Sequence, residues 1–270
     1  MARRSPLINV MVSAAMKASR GLRRDFGEVE QLQVSRKGPA DFVSIADKRA
    51  EKILFEELKV ARPDFGFLME EHGEIKGERD DVRFIIDPLD GTTNFLHGIP
   101  HFAISIAVEE RKEITAGVVY APLTDELYWA EKGQGAFLND ARLRVSGRTK
   151  MEEALLATGI PFKGRDGHEA FIAEMTEIAP QVAGIRRFGA ASLDLAYVAA
   201  GRYDGFWEAG LKAWDVAAGS LIVREAGGYV TDYNGRQDIV EAGSIVAAND
   251  RLHAPLERML KRVHRNMQAS

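Results

Sequence analysis

The order of hydrophobic and polar residues predicts both helices and strands along the chain. Apolar residues three or four positions apart predict helices, and short runs rich in β-branched or aromatic residues predict strands. We expect helices over residues 6–24, 45–58, 168–179, 191–200, 214–226 and 251–265. We expect strands over residues 29–34, 65–69, 82–86, 102–108, 114–120, 126–130, 135–138, 143–145, 154–158, 185–188, 203–207, 229–231 and 245–248. Strands dominate the middle and alternate with helices later, which predicts a layered α/β protein.

The pattern contains neither an internal repeat nor a linker. Polar residues at 35–39 predict a turn, and charged residues at 74–81 predict an exposed loop. A chain of 270 residues is long enough to bury a substantial core. We therefore expect one unit over residues 1–270, with lobes of about 1–150 and 151–270.

The stretch Asp87-Pro88-Leu89-Asp90-Gly91 follows a short apolar run and carries the clearest sign of chemistry. Pro88 fixes φ and lacks an N–H, so the strand is expected to end there. Two carboxylates three residues apart repel each other unless a cation lies between them, and oxygen ligands suit Mg²⁺ or Mn²⁺. If the following residues open a helix, their N–H groups can hold an anion. The alternative is a solvated Asp-Pro turn.

Composition narrows the class of protein further. The chain is 46% hydrophobic and 28% charged, as in soluble globular proteins. It has no cysteine, which excludes disulfides and thiolate metal sites. The net charge of −4 gives no electrostatic reason for direct nucleic-acid binding. No apolar run approaches the roughly 20 residues that span a bilayer, and the first residues make a poor secretory signal, so we expect a cytoplasmic protein without membrane contact.

Two motifs give the chain a family resemblance. Residues 87–95 read Asp-Pro-Leu-Asp-Gly-Thr-Thr-Asn-Phe, and residues 214–219 read Trp-Asp-Val-Ala-Ala-Gly, followed by Glu-Ala-Gly-Gly at 225–228. Both resemble signatures of the inositol monophosphatase family, whose members are Mg²⁺-dependent, lithium-sensitive phosphatases. The resemblance covers about residues 37–249. It implies the five-layered αβαβα sandwich of the sugar-phosphatase type, with the site between the lobes.

The resemblance also implies a ligand set for two or three Mg²⁺ ions, with Mn²⁺ as a possible substitute. The implied metal ligands are Glu70, Asp87, the Leu89 carbonyl, Asp90 and Asp215. Glu70 and Asp215 each have a simpler interpretation. Glu70 and Glu71 could be solvated, with Met69 and His72 replacing the glycine and serine usual in the family. Asp215 could be only an N-cap, with Trp214 as a hydrophobic staple.

Three residues are the implied catalytic group. Thr92 and Asp47 resemble the dyad that polarises the attacking water, and Glu70 helps to position that water. A hydroxyl alone is a poor base, so pairing Thr92 with a carboxylate makes chemical sense. Asp47 could instead close a capping box with Ser44. Lys37 is a candidate phosphate contact, although an isolated lysine is most often solvent-exposed.

The resemblance also implies which residues bind the substrate. Backbone N–H groups of Gly91 and Thr92 would bind phosphate, and Gly189, Ala191, Glu208 and Asp215 would face the polyol. The expected reaction is hydrolysis of inositol 1-phosphate to inositol and phosphate by metal-activated water. Ala190 lacks the threonine hydroxyl usual in the family, and no serine aligns near 158–162, so histidinol phosphate and fructose 1,6-bisphosphate remain alternatives.

Partners follow from the resemblance and from charge. The family implies a homodimer, and some bacterial relatives assist transcription antitermination and ribosomal RNA maturation. A non-catalytic regulatory role with that machinery is therefore the alternative from another class. The basic pairs Arg186-Arg187 and Lys261-Arg262 are interpreted as solvated faces, and the six histidines as non-catalytic.

Overall fold

The computed structural model describes residues 3–26, 34–38 and 41–269. The helices are α1 (Pro6–Phe26), α2 (Ile45–Ala61), α3 (Thr92–Leu96), α4 (His168–Ile178), α5 (Ala191–Ala199), α6 (Ala213–Glu225) and α7 (His253–Ala269). The strands are β1 (Val34–Gly38), β2 (Asp41–Ser44), β3 (Gly66–Met69), β4 (Gly73–Ile75), β5 (Val82–Asp90), β6 (Ala103–Glu110), β7 (Glu113–Ala121), β8 (Glu126–Glu131), β9 (Gly135–Leu138), β10 (Ala141–Arg142), β11 (Leu155–Thr158), β12 (Gly184–Arg186), β13 (Gly205–Ala209), β14 (Tyr229–Thr231) and β15 (Ser244–Ala248).

Two large sheets form the frame of the molecule. The first has eight strands in the order β10-β9-β8-β7-β6-β5-β3-β4, and only β3 and β5 are parallel neighbours. The second has five strands in the order β12-β11-β13-β15-β14, with β11 parallel to both β12 and β13. The first sheet uses residues before 143 and the second uses residues after 154. The predicted lobe boundary at about 150 lies between them and stays a prediction.

The helices cover both sheets in five layers. Side chains alternate across a strand, so Phe84 and Ile86 face α1 and α2, whereas Ile85 faces the layer of α5 and α6. In the second sheet Phe206 faces that same middle layer, and Trp207 faces α4 and α7. The layer order is therefore αβαβα, as predicted.

Small residues let the middle helices approach their neighbours closely. A Cβ at Gly219 of α6 would lie 2.6 Å from the Leu195 Cβ of α5. A Cβ at Gly117 of β7 would lie 2.9 Å from the Ala218 carbonyl oxygen of α6. The small residues of α6 therefore allow close packing of this helix against β7 and α5.

The strand that carries Asp87 does not end at Pro88, contrary to prediction. Strand β5 continues to Asp90, with Asp87 opposite Ser105 and Asp90 opposite Ala103. Two residues of β5, Pro88 and Leu89, therefore lie opposite a single residue of β6. This is a β-bulge, where the missing N–H of a proline costs no ladder bond.

Three further local predictions differ from the structure. The expected turn at 35–39 is largely strand β1, and the expected loop at 74–81 begins inside β4, because short polar segments pair at sheet edges. The edge strand expected at 143–145 lies instead at Ala141–Arg142. The strand predicted over 29–34 lies mostly outside the described residues. Within the described part of the chain, no helix is long and apolar enough to cross a membrane.

Candidate active site

The candidate site begins where β3 ends beside its parallel neighbour β5. Met69 pairs with Ile86, so Glu70, just after β3, lies beside Asp87, which remains within β5. They line a cavity of about 440 Å³ whose opposite wall comes from β13 and the start of α6. All predicted site residues except Asp47 line this cavity: Glu70, Asp87, Leu89, Asp90, Gly91, Thr92, Gly189, Ala191, Glu208 and Asp215.

The bulge and the short helix α3 orient the first group of these residues. Asp87 Oδ1 accepts the Leu89 N–H at 2.9 Å, which fixes the carboxylate beneath the bulge. Gly91 precedes α3 with φ of 92°, and a Cβ there would lie 3.0 Å from the His101 carbonyl oxygen. Only glycine combines that left-handed conformation with so close a contact. The backbone thereby turns sharply from Asp90 into Thr92.

Thr92 and Asp47 are in contact although they are 45 residues apart. Thr92 Oγ1 lies 3.0 Å from Asp47 Oδ1 and 2.9 Å from the Leu89 carbonyl oxygen. Asp47 is in the first turn of α2 and is 1% exposed. The hydroxyl is therefore held between a buried carboxylate and the bulge. The side chain of Ser44, the other half of the expected capping box, lies outside what the structure describes.

Asp90 links the bulge to the N-terminus of α5. Its Oδ2 accepts the Ser192 N–H at 2.7 Å and the Ser192 hydroxyl at 2.5 Å. Asn94 makes a second link, since its side-chain amide donates to the carbonyl oxygens of His101 and Phe188. These bonds fix the 90–94 segment against the residues that follow β12. Sequence reasoning did not identify the bonds of Asp90 to Ser192 and of Asn94 to Phe188, because each pair is about a hundred residues apart.

Asp215 is the third residue of α6 rather than its N-cap. The N-cap is Lys212, whose backbone N–H donates to Asp215 Oδ2 at 2.7 Å. The N-cap alternative for Asp215 is therefore wrong, although its carboxylate does satisfy a backbone donor at the helix start. Trp214 also lies inside the helix, and its carbonyl oxygen accepts the Ser105 hydroxyl.

Glu70 and Glu71 have different environments. Glu70 lines the cavity, whereas the Glu71 N–H donates to Glu51 Oε2 at 2.8 Å, away from it. His72 bonds to the other oxygen of Glu51, which is completely buried. Met69, in place of the family glycine, is buried in the core between α2 and the first sheet. The two unusual residues therefore anchor the segment to α2 and leave Glu70 at the cavity.

The gathered carboxylates have raised pKa values. Burial raises the pKa of Asp87 well above its usual range, and the charges of Glu70, Asp90 and Asp215 raise it further. Burial, followed by the charge of Asp90, raises the pKa of Asp215 to about 7. Burial also raises the pKa of Asp90, although its bonds to Ser192 and to neighbouring N–H groups oppose this. Buried like charges of this kind are relieved by a cation.

An oxygen-only donor set fits a hard divalent ion. Carboxylates and a carbonyl are the ligands preferred by Mg²⁺ and Mn²⁺, which keep several waters and need few protein ligands. Within the described residues, no three or more His, Asp or Glu side chains already stand at metal-binding geometry. Three of the carboxylates instead accept backbone N–H groups, as described above for Asp87, Asp90 and Asp215. The donors fit an ion by chemistry and location, and their final arrangement depends on its charge.

The far wall carries Glu208, close to a glycine that sequence reasoning missed. Burial first, then the charges of Asp215 and Asp90, raise the pKa of Glu208 to about 8. A Cβ at Gly159 would overlap the Glu208 carboxylate, so the missing side chain makes room for it. Where no serine could be aligned, the cavity is lined by Ile160, Pro161 and Phe162.

A further carboxylate, Asp194, is buried behind this wall. It is 0% exposed, and neither of its oxygens has a hydrogen-bond partner among the described residues. Burial raises its pKa well above the usual range, and the charges of Glu208 and Asp90 add to the effect. Burial and these charges therefore favour the protonated form of Asp194.

Three cations in the wall were also missed. Arg165, Arg187 and Lys212 line the cavity. The interpretation of the Arg186-Arg187 pair as a solvated face agrees with the exposure of both residues, but it does not predict that Arg187 also lines the cavity. Two adjacent arginines give no sign of which one lies at a site. No histidine lines the cavity, and the side chain of Lys37 lies outside what the structure describes.

Comparison with known proteins agrees with this geometry. The model of the inositol monophosphatase family matches residues 3–268. An inositol-1-monophosphatase of Mesorhizobium japonicum is 58% identical over 259 residues, covering 96% of this chain and 97% of the relative. The Nus factor SuhB of Vibrio cholerae is 45% identical over 246 residues, covering 91% and 92%. A crystal structure of the extragenic suppressor protein SuhB from Bartonella henselae superposes with a TM-score of 0.93 at 60% identity, covering 95% of this chain and 99% of that one.

Proposed function

The chain belongs to the inositol monophosphatase family, and we propose that it hydrolyses a small phosphate monoester, with inositol 1-phosphate as its substrate. One observation carries the proposal. The cavity brings together Glu70, Asp87, Asp90, Asp215 and the Thr92 hydroxyl, which come from three separate parts of the chain. A buried carboxylate cluster beside an oriented hydroxyl is suited to metal-assisted hydrolysis and serves no evident purpose in packing.

We propose that the carboxylates hold two or three Mg²⁺ ions, for which Mn²⁺ could substitute. Metal dependence is general in this family. Glu70, Asp87, Asp90, Asp215 and the Leu89 carbonyl would be the ligands. Bound metal would supply a nucleophilic water at neutral pH and neutralise phosphate charge. Asp215 can keep its bond to the Lys212 N–H through one oxygen while its other oxygen binds an ion.

The chain's own residues position the reactants. Thr92 Oγ1, which donates its proton to Asp47 or the Leu89 carbonyl, would accept a hydrogen bond from the attacking water, with Glu70 orienting the water from the end of β3. Backbone N–H groups of Gly91 and Thr92 would bind the phosphate. Glu208, with the backbone at Gly189 and Ala191, would bind substrate hydroxyls on the opposite wall. The cavity would thus offer polar groups both to the phosphate and to the hydroxyls of the substrate, which suits a phosphorylated polyol.

A phosphate-release panel tests the proposal. The substrates are inositol 1-phosphate, histidinol phosphate and fructose 1,6-bisphosphate, each with and without Mg²⁺ and Li⁺. We expect Mg²⁺-dependent, Li⁺-inhibited turnover that is fastest with inositol 1-phosphate. Preference for another ester would retain the metal chemistry and refute the substrate. Absence of turnover with every ester would refute the phosphatase itself.

A second candidate is a binding role in transcription, favoured by the similarity to a protein named a Nus factor. The Asp90→Asn protein separates the two candidates, because it removes a charge from the site and leaves the surface nearly unchanged. If this variant fully restores a deletion strain while lacking phosphatase activity, binding is the cellular role. If it fails to restore the strain, catalysis is required.

We also propose that the protein is a cytoplasmic homodimer, on the strength of the family resemblance. Sedimentation velocity measures the assembly state, and fractionation of cells measures the location. A monomer at micromolar concentration, or recovery outside the cytoplasm, would refute the respective proposal.

A further inference from the structure

The cavity wall differs in charge between the half that carries the proposed metal ligands, here called the inner half, and the remaining outer half. Beyond the four proposed metal-binding carboxylates, the wall carries the three cations Arg165, Arg187 and Lys212. Among the described residues, two further carboxylates, Glu208 and Asp166, line the same cavity. With metal matching the inner carboxylates, the outer half keeps a positive balance. A polyol with only neutral hydroxyls does not require such a balance.

Arg187 is placed over the substrate wall by a glycine. A Cβ at Gly189 would lie 2.6 Å from Arg187 Nη1, and Gly189 has φ of 79°, in the left-handed region. Any other residue at 189 would push the guanidinium away. Arg187 makes no hydrogen bond or ion pair within the described part of the chain, so its planar set of five donors is uncommitted.

Arg165 is held near the same end of the cavity. Its guanidinium lies 4.3 Å from the centroid of the Phe162 ring, and its Nη1 donates to the Gly210 carbonyl oxygen at 2.8 Å. Both arginines lie close enough to Glu208 to oppose the effects of burial, Asp215 and Asp90 that raise its pKa. Both guanidinium groups therefore lie near the carboxylate that is proposed to bind a substrate hydroxyl.

We propose that Arg187, supported by Arg165, determines specificity by binding a second anionic group of the substrate. Beside inositol 1-phosphate, the site then takes polyol phosphates that carry a further phosphate or carboxylate distant from the scissile ester, and it takes them with a lower KM. A guanidinium binds either group through two parallel hydrogen bonds. This inference rests on the proposed phosphatase function and extends it to the outer wall.

Two matched substrate pairs test the proposal and separate its two anion sources. Inositol 1-phosphate and inositol 1,4-bisphosphate differ by a second phosphate. Glucose 1-phosphate and glucuronic acid 1-phosphate differ by a carboxylate. KM and kcat are measured for each ester, and the products are separated by chromatography to show which phosphate was released. The proteins are wild type, Arg187→Gln, Arg187→Lys and the control Arg186→Gln.

We expect wild type to have a lower KM for the doubly anionic member of at least one pair. Arg187→Gln should raise that KM about 10-fold, as for loss of a charged hydrogen bond, with little change for the singly anionic partner. In Arg187→Lys the increase in KM should be smaller, because lysine keeps the positive charge and lacks only the two parallel N–H donors of the guanidinium. Arg186→Gln should match wild type, since its side chain is exposed outside the cavity.

The outcomes distinguish this inference from the function on which it rests. If no ester is hydrolysed, the phosphatase proposal fails. If inositol 1-phosphate is hydrolysed but Arg187→Gln changes both members of each pair equally, only the specificity proposal fails. An equal effect of Arg186→Gln would show that general surface charge, rather than this position, attracts the anion.

Discussion

Asp215→Asn is expected to stabilise the metal-free protein and to abolish its response to Mg²⁺. The substitution keeps the shape of the side chain and an oxygen that can accept the Lys212 N–H. It removes a negative charge that is disfavoured by burial and by the charges of Asp90 and Glu70. The carboxylate is thus costly to the metal-free fold and needed only when metal is bound.

The size and pH dependence of this effect follow from the pKa. The pKa of Asp215 rises from 3.8 to about 7, chiefly through burial and then through the charge of Asp90. A rise of about three units corresponds to about 4 kcal/mol of destabilisation above pH 7. The native state holds the proton more tightly than the unfolded state, so stability falls as pH rises from about 4 to 7. Below pH 4 the carboxyl is protonated in both states and the penalty vanishes. The charge-assisted bond from the Lys212 N–H already opposes this rise in pKa, so the gain from Asn should be at most about 4 kcal/mol.

Urea unfolding with a chelator present measures this prediction near pH 8 and near pH 5. Asp215→Asn should be more stable than wild type near pH 8, and the difference should shrink near pH 5. Added Mg²⁺ should raise the unfolding midpoint of wild type and leave the variant unchanged. Asp166→Asn is the matched control, because this exposed carboxylate at the cavity rim should change stability by less than about 0.5 kcal/mol. A variant less stable than wild type near pH 8 without metal would refute the reasoning.

Three further substitutions probe separate parts of the site. Thr92→Val removes the hydroxyl held by Asp47 and should lower kcat about 100-fold while the urea midpoint stays near wild type. Thr92→Ser should recover most of the activity. Full activity in the valine variant would exclude a role for the hydroxyl. Gly159→Ala places a methyl group against the Glu208 carboxylate and should raise KM for inositol 1-phosphate about 10-fold. Overpacking of this kind typically lowers the free energy of unfolding by about 1–3 kcal/mol. An unchanged KM would show that Glu208 does not bind the substrate. Asp90→Asn should lose nearly all Mg²⁺-dependent phosphate release, and a fully active variant would contradict the metal scheme.

The local elements that the sequence determined are those with strong periodic signals. Helix α6 and the hairpin of β6 and β7 lie within one or two residues of their predicted bounds. The errors fall at sheet edges such as β1 and β4, and at Pro88. A proline is compatible with strand β5 only because the neighbouring strand β6 accommodates a bulge there. Nothing local to residues 82–90 specifies that pairing.

The sequence by itself also determined the chemical identity of the site. Asp87, Asp90 and Thr92 lie within one short stretch, and the resemblance added Glu70, Asp47, Glu208 and Asp215. Their types and order already imply a carboxylate-rich phosphate site. Such residues can be identified from the sequence because their chemistry requires particular side chains at nearly fixed local spacing.

Only the tertiary structure decided which distant groups meet these residues. The bond from Ser192 to Asp90, the space that Gly159 leaves for Glu208, and the difference between Arg186 and Arg187 all depend on how β13, α5 and the first sheet pack together. Local sequence limits the backbone of each segment but not its distance from a segment a hundred residues away. That distance is fixed by burying the faces of both sheets around one middle layer of helices, and the charge of the outer cavity wall follows from it.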